Sequence, residues 1–424
     1  MKCNYACKSP EHAIARRQFI GGALGGAGLL AGGVPALASP AATQQLVSDQ
    51  KRVLVVFLSG GISQLESWDP KPKTETGGPF RAIPTAVPGI HISELLPHTA
   101  AHMDKLSLIR SINTRNGDHG KGRYQMTRGR NQRPGDNDPH LGSVVAKGLE
   151  DLSNPLPGHI KVPSASAGDS AYLGPRYASV GASGKPPANS ALAGSMTEQI
   201  DGQRNAFRAK VNDRFASRRR TAETDLYTYS FQQAQDLMRR RDVFDLTKEP
   251  QKEQERYGES EFGKHCLLAR RLLEHGVTYV QVSHSNYDTH NENFNFHLEQ
   301  VGEFDLSFAT LMDDLHQRGM LESTLVVVMS EFGRTPKINA RYGRDHWGTA
   351  WSVCLGGAGV QAGAVIGKTN DNGTAVTDRE VDHGDLFHTY LSAVGLDSTD
   401  SFDIGGREFP VADPAKQAIT ELLS

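Results

Sequence analysis

Carboxylates and imidazoles collect in five short polar segments of this sequence, each beside an apolar stretch. Ser59, Gln64, Glu66 and Asp69 follow one such stretch, and Asp118, His119, Lys121 and Arg123 follow a second. Asn286-Tyr287-Asp288-Thr289-His290 follows a third, Ser330-Glu331-Phe332-Gly333-Arg334 follows a fourth, and Gly343-Arg344-Asp345-His346-Trp347 precedes a fifth. Oxygen and nitrogen donors of these types are what zinc, manganese or calcium take as ligands. The planar guanidinium groups of Arg123 and Arg334 could hold an anion by two-point hydrogen bonding. Taken singly, each segment has an ordinary explanation. Asp288 suits a turn, His290 a surface, Glu331 an ion pair with Arg334, and Asp345-His346 a cap. Their shared position at strand ends is what argues for one site.

The elements that must carry these segments alternate along the chain. Residues 53–58 (VLVVFL) form a continuous apolar run stopped by Ser59-Gly60-Gly61, the pattern of a strand buried on both faces. Further strands are expected over 105–112, 277–282, 324–329 and 351–355, and helices over 95–103, 263–275 and 385–394. Val301, Phe304, Phe308, Leu311 and Leu315 recur at spacings of three and four, which predicts a helix burying one stripe, ended by Gly319. The stretch 181–249, dense in Arg, Gln, Ala and Asp, reads as a helical insertion. Such alternation predicts an α/β fold, a mostly parallel open sheet with helices on both faces, spanning 51–424. Ligands of such sheets gather beyond the carboxyl ends of the strands.

A formal net charge of −2 gives no electrostatic case for nucleic acid, which calls for a basic face. The arginine runs at 218–220 and 239–241 read as solvated helix faces. At the N-terminus, Arg16-Arg17 precedes a glycine-rich apolar segment from Phe19 to about Ala38, and Ala36-Leu37-Ala38 has the form of a cleavage site. Its weak hydrophobicity suits a twin-arginine export signal over 1–38 better than a membrane anchor. A linker over 39–50 follows. The expected product is a periplasmic or secreted protein with no stable membrane span after signal cleavage. Cys3 and Cys7 lie in the removable segment. Cys266 and Cys354 each sit in an apolar pattern and are expected as small buried hydrophobes rather than a pair.

The run Thr324-Leu325-Val326-Val327-Val328-Met329-Ser330-Glu331-Phe332-Gly333 resembles the segment of the alkaline-phosphatase and sulfatase superfamily in which a strand ends in Ser-Asp-His-Gly. His119-Gly120-Lys121-Gly122-Arg123 through Gly129-Arg130 is similar in spacing to the sulfatase signature Cys-x-Pro-Ser-Arg through Thr-Gly-Arg, and residues 382–396 resemble the superfamily's closing helix and turn. More specifically, the stretch from Gly60 to Pro72 (GGISQLESWDPKP), Asp288-Thr289-His290, Ser330 through Pro336 (SEFGRTP), and Gly343-Arg344-Asp345-His346-Trp347 resemble the exported family known as domain of unknown function 1501. The resemblance implies the alkaline-phosphatase-like fold and export.

Where that superfamily places metal-binding aspartates after the first strand, this chain has Ser59-Gly60-Gly61. At the nucleophile position it has His119, and in place of Asp-His it has Glu331-Phe332. Two expectations follow. In one, the protein is a metal-dependent hydrolase of a sulfate or phosphate ester, acting on an anionic small molecule or glycan. A divalent ion is then held by Asp288, His290, Glu331 and His346, with Asp345 and with Glu66 or Asp69 adding donors. Arg123 and Lys121 neutralise the ester, and His119 attacks or shuttles a proton. In the other, the site is catalytically degenerate and binds an anionic glycan or a protein partner.

Overall fold

The computed structural model describes residues 49–423 apart from 136, 152, 167, 189, 220, 221 and 405. The expected export signal at 1–38 and nearly all of the expected linker lie outside the described residues. One eight-stranded sheet organises the chain. Its strands are β1 (Arg52–Leu58), β2 (Leu106–Ile112), β3 (His159–Val162), β4 (Val180–Gly181), β5 (Tyr279–His284), β6 (Thr324–Met329), β7 (Trp351–Gly357) and β8 (Val365–Ile366). Their spatial order is β8-β2-β7-β6-β1-β5-β3-β4. Only β7 runs antiparallel to its neighbours; every other pairing in this sheet is parallel.

The central strands are continuous apolar runs because both of their faces are covered. Every residue of β1 is buried. Leu54, Val56 and Leu58 point into one apolar layer, together with Val326 and Val328 of β6. Val53, Val55 and Phe57 point into the opposite layer with Leu325, Val327 and Met329. The first layer is closed by helices α5 (Glu261–Glu274) and α6 (Asn293–Gln317), through Cys266, Leu272, Phe304, Phe308 and Leu311. The second is closed by α1 (His119–Arg128), α2 (Leu141–Gly148) and α7 (His383–Ala393), through Met126, Leu141, Val144, Phe387 and Leu391. Each such side chain contributes about 2 kcal/mol by leaving water. Within β1 and β6 the one charged residue, Arg52, stands at the strand start. Between β4 and α5 run two long helices, α3 (Glu198–Arg219) and α4 (Ala222–Arg239).

Several boundaries differ from the sequence expectation. β5 starts and ends two residues later than 277–282, because the Val277 amide still bonds to Leu272 O at the exit from α5. The short strands β3, β4 and β8 and the helices α1 and α2 were not expected at all. Cys266 and Cys354 are buried and free.

Candidate metal centre

Parallel pairing of β6, β1 and β5 brings their carboxyl ends to one edge, and the chain fixes that edge with backbone contacts. After β1 the chain turns at Gly60, whose φ is +115°. A Cβ at Gly60 would lie 2.5 Å from Asp288 N, so only glycine lets the β1 exit approach the loop carrying Asp288. Ser330, following β6, accepts from Gly61 N (3.1 Å) and Ile62 N (3.3 Å) and donates to Leu58 O.

Helix α1 delivers His119. Asp118 caps it, accepting from Lys121 N at 2.8 Å, and Gly129 ends it in a left-handed conformation. Gly122 lets the helix rest on the backbone of Glu331: a Cβ there would stand 2.6 Å from Glu331 O. This close approach sets His119, one turn earlier, against the Glu331 side chain. A two-residue antiparallel ribbon pairs Arg334 with His346 and Gly333 with Trp347, which carries His346 in from the far side.

The side chains that meet here are His119, Asp288, His290 and His346. One donor atom from each of His119, Asp288 and His346 lies within 4.8 Å of the others. His119 Nε2 is 3.3 Å from Asp288 Oδ2. His346 Nε2 is 3.1 Å from Asp288 Oδ1, as is His290 Nε2. The Nε2 atoms of His290 and His346 stand 3.0 Å apart. Behind each ring is an acceptor for its other nitrogen. His119 Nδ1 donates to Glu331 Oε1 (2.8 Å), His290 Nδ1 to Asp345 Oδ1 (2.7 Å) and His346 Nδ1 to Gly117 O (2.6 Å).

Burial pushes the Asp288 carboxyl up. The Arg334 guanidinium, 2.6 Å away, outweighs that effect and holds the group well below the usual carboxylate range. A hydrogen bond from His290 likewise lowers Asp345.

Other residues expected at the site are placed differently. Glu331 stands behind His119 rather than in the donor group. It is fully buried, its Oε1 also accepts from Gly60 N at 3.0 Å, and its Oε2 lies 3.1 Å from Ser330 Oγ. Asp345 backs His290 in the same manner. Glu66 forms a buried pair with Arg344, with contacts of 2.8 and 3.0 Å, and accepts from Asn293 at 3.1 Å. Asp69 pairs with Lys71 at 3.0 Å and accepts from Thr369 at 2.5 Å. Both carboxylates are saturated away from the cluster.

Arg334 is not an open anion clamp. It is fully buried and donates to Gly61 O (2.9 Å), Arg344 O (3.1 Å), Gly60 O and Asp288. Lys121 turns to a separate polar cleft, shared with Asn116, His383 and Lys416. Arg123 stays exposed, 5.4 Å from the Phe57 ring centroid, and donates to Ser59 Oγ at 2.8 Å. Sequence reasoning missed two parts of this arrangement. The Gly117 carbonyl carries no side-chain signal. The α1 turn, which makes His119 a neighbour of Asp288, was hidden by its glycines.

Residues 50–423 match the family described as Protein of unknown function (DUF1501). No curated protein matches the chain. Among solved structures, it is similar to Ps i-CgsB in complex with k-i-k-neocarrahexaose, with 11% identity, 82% of this chain and 72% of that one covered, and a TM-score of 0.42. It is also similar to the lipoteichoic acid synthase LtaP from Listeria monocytogenes, with 8% identity, coverage of 86% and 76%, and a TM-score of 0.39. For the PsFucS1 sulfatase from Pseudoalteromonas sp. the values are 14%, 85% and 72%, and 0.37.

Proposed function

The chain belongs to the family described as protein of unknown function (DUF1501), and from its site we propose a metal-dependent hydrolase of an anionic ester, a sulfate or phosphate carried by a small molecule or glycan. One observation carries this reading: three imidazoles turn Nε2 toward a single carboxylate while an acceptor claims each Nδ1. A neutral imidazole has one proton. With that proton on Nδ1, the Nε2 lone pairs face Asp288 and, between His290 and His346, each other at 3.0 Å. Such a cluster is repulsive until a cation is shared among the lone pairs. The donor set fits a divalent ion held by His119, Asp288 and His346, with His290 alongside. Its nitrogen content favours zinc or manganese over calcium, which takes oxygen ligands. A divalent ion supplies Lewis acidity, polarising an ester oxygen and lowering the pKa of water.

The chain's own groups have separate tasks in this proposal. Glu331, Asp345 and the Gly117 carbonyl fix tautomers and ring orientation, the usual work of groups behind metal-binding histidines. Arg334 keeps Asp288 ionised and aimed. Arg123, on the rim beside Ser59, is placed to meet the negative charge of an ester. With Nδ1 held by Glu331 and Nε2 turned toward Asp288 among the other imidazoles, His119 is proposed as a ligand rather than as the attacking group.

The alternative, a non-catalytic module binding an anionic glycan or protein, is favoured by one observation. Ser59, at the position where the resemblance expects acidic ligands, is tied to Arg123. We place the protein in the periplasm or outside the cell, on the strength of the twin-arginine stretch. No helix among the described residues is long and apolar enough to cross a membrane.

Element analysis of the purified protein before and after chelation, beside turnover of a panel of sulfate and phosphate esters, tests the proposal. The expected result is one equivalent of a transition metal and ester cleavage, both lost in Asp288→Ala. Metal-free protein with undiminished stability overturns it. Absence of any turnover, with glycan binding kept in Asp288→Ala, favours the alternative.

A further inference from the structure

Helix α3 presents a face that the rest of the described chain leaves uncovered. It leans on the body through a narrow stripe of half-buried residues, Asp201, Asn205, Arg208 and Asn212, with the Arg208 guanidinium 3.5 Å from the Phe231 ring centroid. The next face round is apolar and open to solvent. Phe207 is 71% exposed, Phe215 51%, Val211 48% and Ile200 46%. At about 100° per residue these four fall within an arc of about 80° and run about 22 Å along the helix. Exposed Arg204 lies within the same arc, and exposed Arg214 borders it. Glu198 and Asp213 project from other sides by the same spacing, and Asp201 belongs to the half-buried stripe.

Separation of this kind selects the occupant. A second copy of the chain, docked about a two-fold axis, would gather Arg204 and Arg214 of both copies into one interface. A polyanion alone would leave two phenylalanines, a valine and an isoleucine in water. A convex helix without a pocket offers no socket for one side chain. A flat anionic lipid surface satisfies both components: aromatic and aliphatic groups enter the acyl boundary while arginine and lysine stay at the headgroups. We propose that α3 is a membrane-docking helix that lies on anionic bilayers through Ile200, Phe207, Val211 and Phe215, steered by Arg204 and Arg214. This surface is independent of the metal centre.

Tryptophan fluorescence of the full chain with vesicles gives a local readout. Two variants are compared, Phe207→Trp on the docking face and Ala209→Trp on the opposite side, each as a difference from the unsubstituted protein. The positions are exposed, and circular dichroism confirms that folding is unchanged. The expected result is a blue shift for Phe207→Trp with vesicles of one-third phosphatidylglycerol in phosphatidylcholine, none with phosphatidylcholine alone, and none for Ala209→Trp. Adding Arg204→Glu and Arg214→Glu to Phe207→Trp weakens partitioning at least about tenfold, as does raised salt. No shift with anionic vesicles, or an equal shift at both positions, overturns the proposal. A shift with a soluble polyglutamate but not with vesicles overturns it in favour of an acidic protein partner. Concentration-dependent self-association without vesicle binding overturns it in favour of a second copy.

Discussion

Two acidic residues at the same edge of the sheet show how one chemistry serves two ends. Glu66 meets Arg344 in a pair with both side chains fully buried, and the surrounding carbonyls, Thr76 O at 2.7 Å, Thr335 O at 3.1 Å and Pro336 O, use up the remaining guanidinium donors. Asp288 meets Arg334 and the Nε2 atoms of three imidazoles, and it remains partly exposed. The first arrangement is complete without a ligand and ties the loop after β1 to the Gly343–Trp347 segment. The second is the arrangement proposed to take a cation. Arg344 and His346 stand two residues apart in one motif, yet they fall on opposite sides of this divide. A motif therefore marks where the chain is constrained. Whether a given residue holds the fold or a ligand is decided by the number of partners it already has.

The largest expected effect breaks the complete pair. Glu66→Ala leaves Arg344 buried and uncompensated and costs about 3–5 kcal/mol, read from denaturant unfolding curves. A loss under about 1 kcal/mol would place Glu66 among the dispensable surface charges. Asp288→Asn acts on the other side. It lowers metal affinity by about a hundredfold or more in competition titrations with a chelator, and it destabilises the apo protein less than Glu66→Ala does, because Asp288 is itself 46% exposed although Arg334 is buried. Glu331→Gln sharpens the contrast, since Glu331 is buried like Glu66 but serves the cluster through His119. Its expected cost is about 10–100-fold in metal affinity, and loss of stability without loss of affinity would move it to the structural class.

Acid separates the two regions by a different route. Burial raises the Glu66 carboxyl, but Arg344 more than offsets this and leaves it below its usual range. Its stabilising contribution is therefore whole above the unfolded value of about 4.3 and is lost as pH falls through the lower folded value. Ion binding competes with protons for imidazole and weakens earlier in the descent. Metal release followed over the same pH series as unfolding should thus come first. Simultaneous loss would mean that the ion and the Glu66 pair support one cooperative unit. The smallest effect is expected from Arg123→Ala: a rise of about tenfold in KM for an anionic ester, with metal content unchanged and stability within about 0.5 kcal/mol.

The sheet's centre was legible because β1 and β6 are unbroken apolar runs, and only burial on both faces calls for that pattern. The stripe of α6 was legible for the same reason. β3, β4 and β8 are two to four residues long and give no periodicity to read. Helix α1 contradicts local propensity with Gly120 and Gly122, and it exists where a tertiary contact with Glu331 requires a residue without a side chain. At the site, Asp288, His290 and His346 lie together with His119, and Glu331 lies behind His119. Their division of labour was not legible, because nothing in a linear sequence shows that Glu331 stands behind His119, or that Arg334 spends its donors on backbone carbonyls and Asp288.

Anomalous diffraction from crystals of the full chain soaked with zinc or manganese tests the shared-cation reading most directly. The expected peak lies about 2.0–2.2 Å from His119 Nε2, His346 Nε2 and an Asp288 oxygen. An empty cluster in crystals that bind the same metal elsewhere would contradict it.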